Sequence, residues 1–366
     1  MSRRAGAEPG PDRGRGPWPE PAAAAARAAR RRSVIALVLA LESSCDESSV
    51  AVVEDRTVRS NLIHSQYSRH APYGGVVPEL AARDHLEKLP ELVPLALEQA
   101  GVTAGDIDVV AATRGPGLVG CLLVGLGVAW GLADAWHRPL VGVNHLWGHV
   151  YAAFTAQPDL EPPLLALVVS GAHSDLVWMP RHGVFEILGR TRDDAAGEAF
   201  DKAARMLGLG YPGGPVLDRM AREGDPDRQP LPQPRLPGLE YSFSGLKTAL
   251  LYRLRDLDPS GRGENLTDQQ RRDLSAAFER SVVDSLLDKL GRALAELRPQ
   301  EVVICGGVAA NSLLRRRAAE VVGDRARLTI PSLVLCTDNA AMIGVAAPHS
   351  PPGGPADAEP TLDWRP

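Results

Sequence analysis

Two histidines four residues apart are the first feature of this chain that could do chemistry. The segment "NHLWGHVYAAF" places His145 and His149 on one face of a helix, within reach of one ion. Imidazole suits zinc or ferrous iron, and a carboxylate commonly completes such a site. Asp338 in "LCTDNAAMIG" is the best candidate carboxylate, and Asp46 and Glu47 compete with it. An isolated HxxxH is more often a pair of core or solvated residues, and that alternative stays open at this point.

The residue after the first histidine bears on the reaction. Zinc proteases of the H-E-x-x-H type carry their general-base glutamate there. This chain has Leu146 at that position. The missing glutamate therefore disfavours hydrolysis by a zinc protease.

Three glycine-rich turns are predicted where strands end, in "VVSGAHS", "YPGGP" and "ICGGV". Each offers backbone N–H groups, and glycine lets a ligand approach them closely. None continues as a Walker A loop and none is GxGxxG, so each by itself is more often a plain turn. Asp201, on a helix before Gly214, is suited to accept from ribose hydroxyls. Asn311, just inside a helix, is suited to bind a nucleotide or a substrate amide.

The stretch "RRRSVIALVLALESSCDESSV" has two incompatible interpretations. It could be an export signal ending at a lipid-modified Cys45, or a buried strand followed by a polar turn suited to phosphate or metal-bound water. Val34 to Leu41 is short for a signal, and two more β-branched runs follow at once. The pattern favours three strands, with Glu42 to Ser48 as the first turn.

Composition limits the class of protein. The 366 residues are 44% apolar and 23% charged, which is typical of an ordinary globular protein, and the net charge is −5. Four scattered cysteines without a CxxC pair indicate a reducing compartment. No apolar run approaches the roughly 20 residues of a membrane span, so no membrane partner is expected. The head is too poor in serine for a good mitochondrial transit peptide, so a cytoplasmic location is expected ahead of a mitochondrial one.

The order of predicted elements fixes the fold class. Two similar halves each open on a strand, a polar turn and further strands, and then alternate helix and strand. A buried helix is predicted over "LVGCLLVGLGVAWGLADAW", with further helices around 195–208, 214–223, 243–254 and 267–297. The pattern predicts an α/β protein of two lobes, with ligands beyond the carboxyl ends of the strands.

The predicted division of the chain has four parts. The N-terminal lobe covers 34–162 and is joined by a closing helix at about 338–347, and the C-terminal lobe covers 163–337. Residues 1–33, which are rich in Arg, Pro and Ala, and residues 348–366 are predicted to be disordered.

Nine motifs follow one another from about Val34 to Ala347. They are "ALESSCDESSVAVV", "YGGVVPELAARDH", "TRGPGLVGCLLVG", "GVNHLWGHVYAAF", "LVVSGAHSDL", "DDAAGEAFDKAARMLGLGYPGGP", "YSFSGLKTAL", "CGGVAANSLLR" and "CTDNAAMIG". Together they resemble the TsaD family, the tRNA N6-adenosine threonylcarbamoyltransferases, also described as O-sialoglycoprotein endopeptidase-like and peptidase M22-type. Nine motifs in order are far more specific than one HxxxH.

The resemblance implies an actin-like, hsp70-like (ASKHA) fold with a nucleotide cleft between two similar lobes. It implies one divalent metal, Fe²⁺ with Zn²⁺ as the alternative, on His145, His149 and Asp338. Glu47 and His173 are the candidates for a general base. The residues implied to contact the adenylate are Val168, Val169, Ser170, Gly171, Ala172, Asp201, Gly214, Asp218 and Asn311.

The resemblance also implies a reaction and partners. The threonylcarbamoyl group of threonylcarbamoyl-AMP would pass to N6 of adenosine 37 in tRNAs that read ANN codons. A TsaB-like paralogue, a small TsaE-like P-loop ATPase and a TsaC-like adenylate synthase are expected, or a homodimer if the chain is of the organellar branch. A sugar-kinase-like ATPase of the same superfamily would not need HxxxH, and a non-catalytic scaffold would lack the histidines.

The motif around Ser170 departs from the family pattern at two positions, Ala172 and Ser174. The usual V-S-G-G-H-T is "VSGAHS" here, with Ala172 in place of glycine. Alanine takes a positive φ only at a cost, so we expect a modest adjustment of this turn.

Overall fold

The computed structural model describes residues 36–210, 212–258, 263, 265–351, 359 and 364. The predicted extension 1–33 lies outside these residues. The described chain contains two five-stranded mixed sheets flanked by helices. The strands of the first sheet are β1 (Leu37–Glu42), β2 (Glu47–Glu54), β3 (Thr57–Ser65), β4 (Val109–Gly115) and β5 (Leu140–Asn144). Those of the second are β6 (Leu164–Val169), β7 (Ser174–Arg181), β8 (Val184–Gly189), β9 (Glu301–Cys305) and β10 (Arg327–Thr329).

Helices connect and cover the strands. In chain order the α-helices are α1 (Tyr67–His70), α2 (Pro78–Ala100), α3 (Val119–Trp136), α4 (His145–Tyr151), α5 (Ala153–Ala156), α6 (Ala196–Met206), α7 (Gly213–Ala221), α8 (Ser244–Leu257), α9 (Asp268–Leu297), α10 (Ser312–Val322), α11 (Leu333–Cys336) and α12 (Ala340–Ala346). Short 3-10 helices occupy Ala71–Tyr73, Ala104–Asp106, Gly307–Ala310, Gly323–Arg325 and Ala347–His349.

The two sheets share one plan. Their strand orders are β3-β2-β1-β4-β5 and β10-β9-β6-β7-β8. In the first, β1 pairs antiparallel with β2 and parallel with β4; in the second, β6 pairs antiparallel with β7 and parallel with β9. Each first strand therefore lies inside its sheet and ends in a turn beside a parallel neighbour. The export-signal interpretation is wrong, because cleavage near Cys45 would remove β1 from the middle of the first sheet.

Three apolar cores hold these layers together. One fills the outer face of the first sheet under α2 and α3. A second lies between the two sheets and includes α4 and α12. The third covers the outer face of the second sheet beneath α6 to α10. Strands buried on both faces read as continuous apolar runs, as "LVLAL" and "LLALVV" do.

Helix α3 differs from its prediction as a buried helix. Leu122 and Leu126 pack inward, but Val119, Leu123 and Trp130 are 54%, 52% and 47% exposed. By length and composition alone α3 could also cross a membrane, with a mean hydropathy of 1.6 over 18 residues. The expectation that no apolar run approaches that length is therefore wrong for α3, although its inner face is part of the core.

Several described residues of the tail that is predicted to be disordered make defined contacts in the structure. His349 stacks on Tyr151, with ring centroids 4.9 Å apart. Trp364 is 3% exposed. Its indole Nε1 donates to Asp175 at 2.7 Å, and its carbonyl accepts from Trp147 Nε1 at 2.8 Å. The apolar area of one indole and two hydrogen bonds offset the entropy lost on ordering this position.

Candidate metal and nucleotide site

The metal-ligating candidates meet at the amino end of α4. Asn144, the last residue of β5, caps this helix by accepting from Leu146 N at 2.9 Å. His145 opens the helix and His149 follows one turn later, 8% and 0% exposed. Asp338 arrives from the segment between α11 and α12, and its Oδ1 lies 3.6 Å and 3.3 Å from the two Nε2 atoms. One ligand atom from each residue lies within 4.8 Å of the others.

The chemistry of these three groups fits a divalent cation. Within the described chain, neither ring nitrogen of buried His149 has a hydrogen-bond partner of acceptable geometry. Leaving such a group unpaired costs free energy. An ion ligated by one ring nitrogen of His149 would reduce that cost. Two imidazoles with one carboxylate suit zinc or ferrous iron. The predicted triad is thus brought together as expected.

Mutual electrostatics favour the charged forms of Asp338 and His145. Burial would raise the pKa of Asp338, but the neighbouring imidazoles lower it to about 2. Burial would also lower the pKa of His145, but the carboxylates of Asp338 and Glu42 raise it to about 9. The negative charge of Asp338 and the positive charge of His145 therefore offset each other.

Asp46 and Glu47, the competing carboxylates, lie outside this group of ligand atoms. Glu47 opens β2 at the end of the first turn, and burial and the charges of Asp338 and Asp46 raise its pKa to about 9. Glu47 therefore carries a proton at neutral pH while no cation offsets Asp338. The other base candidate, His173, is half-buried and contributes to the low pKa of Asp338.

The turn after β6 is built from the residues predicted to grip the adenylate. The side chains of Val168 and Val169 are fully buried in the core, so these two residues offer only backbone atoms to a ligand. Ser170 N donates to His173 O at 2.8 Å to close the turn. Gly171 and Ala172 are exposed at its tip.

Ala172 fits its place without strain, and the expected adjustment of the turn is small. It does not have a positive φ; the non-glycine residues of the described chain that do are Asp55, His137 and Arg298. The neighbouring turn after β9 does need glycine. Gly306 has φ 89°, and a Cβ there would lie 2.4 Å from Val169 O. The turns after parallel β6 and β9 therefore touch, as their common sheet edge requires.

The remaining nucleotide candidates serve as internal supports of the second sheet's helices. Asp201 on α6 accepts from Gly213 N at 2.8 Å and so holds the start of α7, next to Gly214. This turn joins two helices, and its prediction as a strand end is wrong. Asp218 accepts from Ser312 Oγ at 2.5 Å. Asn311 accepts from Leu314 N at 2.9 Å as the cap of α10.

Two buried carboxyl groups were missed from the sequence. Glu279 on α9 accepts from Asn311 Nδ2 at 2.6 Å, and burial raises its pKa to about 8. Glu42, at the end of β1, contacts His145 Nδ1 at 3.1 Å. A signal existed for each: Glu279 sits on the apolar stripe of an amphipathic helix, and Glu42 directly follows a continuous apolar strand.

The arrangement of the sheets and of the site first indicates the class of protein to which the chain belongs. Two related mixed sheets, with site-bearing turns after their first strands, make an actin-like, hsp70-like (ASKHA) fold. Full-length HypF in its phosphate- and nucleotide-bound form has the same fold, with a TM-score of 0.58 and 14% identity over 89% of this chain and 47% of that one. The crystal structure of T. kodakarensis HypF gives a TM-score of 0.58 and 13% identity over 85% of this chain and 47% of that one. The fold predicted from the sequence is confirmed.

The chain belongs to the TsaD family, whose model, tRNA N6-adenosine threonylcarbamoyltransferase, matches residues 57–345. A curated relative of that name from Symbiobacterium thermophilum is 52% identical over 313 residues, which are 85% of this chain and 90% of the relative. Another, from Thermodesulfovibrio yellowstonii, is 49% identical over 310 residues, or 84% and 92%. The resemblance and the assignment as a transferase are confirmed, ahead of the glycoprotease and the sugar-kinase-like ATPase.

Proposed function

We propose that this chain transfers the threonylcarbamoyl group of threonylcarbamoyl-AMP to N6 of adenosine 37 in tRNAs that read ANN codons. The observation that carries the proposal is the joint occurrence of family motifs over 57–345 and the buried His145, His149 and Asp338 cluster. The bond from N6 to the carbamoyl carbon forms as the bond from that carbon to the phosphate oxygen breaks. AMP leaves with the electron pair, and the N6 proton passes to a base.

A divalent ion, iron in the first instance and zinc as the alternative, would be held by His145, His149 and Asp338 and would supply Lewis acidity to the carbamoyl-phosphate centre. The protein itself supplies position. Adenine N6 is a weak nucleophile, so much of the rate must come from holding the reactants together.

Residues of the chain itself would bind the nucleotide and accept the N6 proton. The backbone of the turn from Ser170 to Ala172 would face the phosphate, since its tip is exposed and glycine lies within it. Asp201 and Gly214 would shape the ribose side, while Asp218 and Asn311 brace the helices around the nucleotide. Glu47 and His173 remain the two groups proposed to take the N6 proton, because both interact electrostatically with Asp338. Glu47 would act as a base only with a cation bound, since the charge of Asp338 otherwise helps to keep it protonated.

The test is nucleoside mass spectrometry of an unmodified ANN-decoding tRNA. It is incubated with this protein and separately prepared threonylcarbamoyl-AMP, with and without TsaB-like and TsaE-like proteins. We expect modified adenosine with the unaltered chain and at least a hundredfold less with His145→Ala/His149→Ala. His137→Asn, at a left-handed position outside the site, is the matched control and should keep activity. No product with any set of partners, from folded and metal-loaded protein, would exclude this transfer.

The outer face of α2 and α3 supports the proposed TsaB-like partner. Its exposed large apolar side chains are Leu86, Leu95, Val119, Leu123 and Trp130. Exposed apolar patches of this kind mark association surfaces. Leu123→Glu should abolish binding to the TsaB-like protein in size-exclusion chromatography. Dimers of this chain alone, lost with the same substitution, would point to the homodimer instead.

The supply of substrate by a TsaC-like synthase and a cytoplasmic location complete the proposal. All four cysteines are free in the structure, which fits a reducing compartment. Subcellular fractionation that found the protein with a membrane or in an organelle would contradict this location.

A further inference from the structure

A buried carboxylate outside the metal-ligating triad contacts one of its histidines. Glu42 is 0% exposed. Its Oε1 accepts from Ser44 N at 2.5 Å, and its Oε2 accepts from Thr113 Oγ1 at 2.6 Å. The same Oε2 lies 3.1 Å from Nδ1 of His145. An ionised carboxylate without exposure to water is costly unless it has a specific set of donors, and these three groups provide one.

The contact lies on the far side of the imidazole from the other ligands. Nδ1 of His145 faces Glu42, whereas Nε2 faces Asp338 Oδ1 at 3.6 Å. Both oxygens of Glu42 are already engaged by donors from the protein. Glu42 is therefore placed behind the ligand ring, where a fourth ligand would not sit.

We infer that Glu42 is a positioning residue: it accepts the Nδ1–H of His145 and thereby fixes the ring orientation and tautomer that present Nε2 to a divalent cation. The inference rests on the proposed metal site and deepens it. A carboxylate behind a ligating imidazole also makes that imidazole a better donor to the metal.

The sheet order explains why this carboxylate is rigid. Strands β1, β4 and β5 are consecutive neighbours. Glu42 is the last residue of β1, Thr113 lies two residues before the end of β4, and His145 directly follows β5. The carboxylate thus joins three strand ends. Among the described residues, neither ring nitrogen of His149 has a hydrogen-bond partner of acceptable geometry. Glu42 therefore orients the ring of His145, whereas no carboxylate orients the ring of His149 in the same way.

A second acceptor lies near the same nitrogen. Ser44 Oγ is 3.3 Å from His145 Nδ1. Hydrogen bonds to an ionised acceptor are roughly twice as strong as neutral ones, and the carboxylate is also the nearer group. Ser44→Ala should therefore leave the orientation of the ring in place.

The test measures metal binding without tRNA or adenylate. Zinc affinity is determined by competition with a chromophoric chelator for the unaltered chain, Glu42→Gln, Glu42→Asp and the control Glu320→Gln, at an exposed position on α10. We expect Glu42→Gln to bind zinc about 10–100-fold more weakly, since one amide oxygen cannot accept from three donors. Glu42→Asp keeps the negative charge but shortens the side chain by one methylene, which moves the carboxylate away from His145. We expect it to weaken zinc binding by a similar factor. Glu320→Gln makes the same chemical change as Glu42→Gln at an exposed glutamate and should change the affinity less than about threefold, because it leaves Glu42 and His145 untouched.

The outcomes separate this inference from the proposed site. If His145→Ala retains full zinc affinity, the metal site itself is wrong. If His145→Ala loses affinity while Glu42→Gln and Glu42→Asp do not, only the role of Glu42 is overturned. If Glu42→Asp alone keeps the affinity, charge rather than position is what matters, and the inference is again overturned.

A measurement on the unaltered chain guards against variants that fail to fold. Long-range ¹⁵N–¹H NMR of the zinc-loaded protein identifies which nitrogen of His145 carries a proton. We expect a protonated Nδ1 and a metal-bound Nε2. A metal-bound Nδ1 would contradict the inference without any substitution.

Discussion

At the scale of single residues, the site consists of buried polar groups that have few available hydrogen-bond partners. His149 is fully buried and its ring nitrogens lack good partners within the described chain. His145, one turn away, is held by Glu42 and balanced by Asp338. The two histidines therefore have different roles. His145 is oriented before an ion binds, whereas His149 gains the most from a bound ion.

Glu279 should make stability depend on pH. Burial raises its pKa to about 8 in the folded chain, whereas an exposed glutamate titrates near its ordinary value of 4.5. The folded state therefore keeps this proton where the unfolded state has released it. The stabilisation is complete below about pH 4.5 and is lost as the pH rises through about 8, by up to about 5 kcal/mol in total.

The measurement is the free energy of unfolding by urea at several pH values between 5 and 8. Glu279→Gln keeps an oxygen for Asn311 but cannot ionise, so the unaltered chain should lose stability relative to this variant as the pH rises. Glu320→Gln, exposed on α10, is the control and should run parallel to the unaltered chain. Parallel curves for Glu279→Gln would mean that Glu279 does not titrate in this range.

At the scale of elements, the site depends on turns that meet at the edge of a sheet. The turn after β6 closes through Ser170, and the turn after β9 comes close to Val169 because Gly306 lacks a side chain. Local sequence explains each turn. Their contact follows from the parallel pairing of β6 with β9.

Gly306→Ala should therefore damage both stability and nucleotide binding. Its φ of 89° and a Cβ placed 2.4 Å from Val169 O force the backbone to move. We expect a loss of about 1–3 kcal/mol and weaker binding of AMP, measured by urea unfolding and calorimetry. Gly307→Ala is the matched control, because a Cβ there meets nothing within 4 Å. Equal effects of both substitutions would show that the close approach at Gly306 is unimportant.

At the scale of the whole molecule, the two sheets share a core that includes α4 and Trp364. Trp364 contacts Phe185 with ring centroids 5.3 Å apart, and its backbone carbonyl accepts from Trp147 on α4. The same helix carries the two histidines. Trp364 therefore helps to hold α4, the helix that carries the two histidine ligands.

Trp364→Ala should destabilise the protein by about 3 kcal/mol, because it removes a buried indole and its bond to Asp175. Thermal unfolding of the full chain measures this loss. Trp130→Ala, at an indole that is 47% exposed, should cost clearly less in the same assay. If the two substitutions cost the same, Trp364 is not packed as described.

The sequence by itself determined what depends on neighbouring residues. Helical spacing put His145 and His149 on one face, strand-turn patterns located the turns around Glu42 and Ser170, and ordered motifs indicated the family. These features are local because the period of a helix or strand acts over a few residues.

The tertiary structure decided which distant groups meet. Glu42 reaches His145 only because β1, β4 and β5 are adjacent, and Glu279 reaches Asn311 only because α9 packs against the start of α10. The burial of Trp364 likewise depends on a pocket formed by other segments. Such contacts depend on strand order and packing, which no short stretch of sequence encodes.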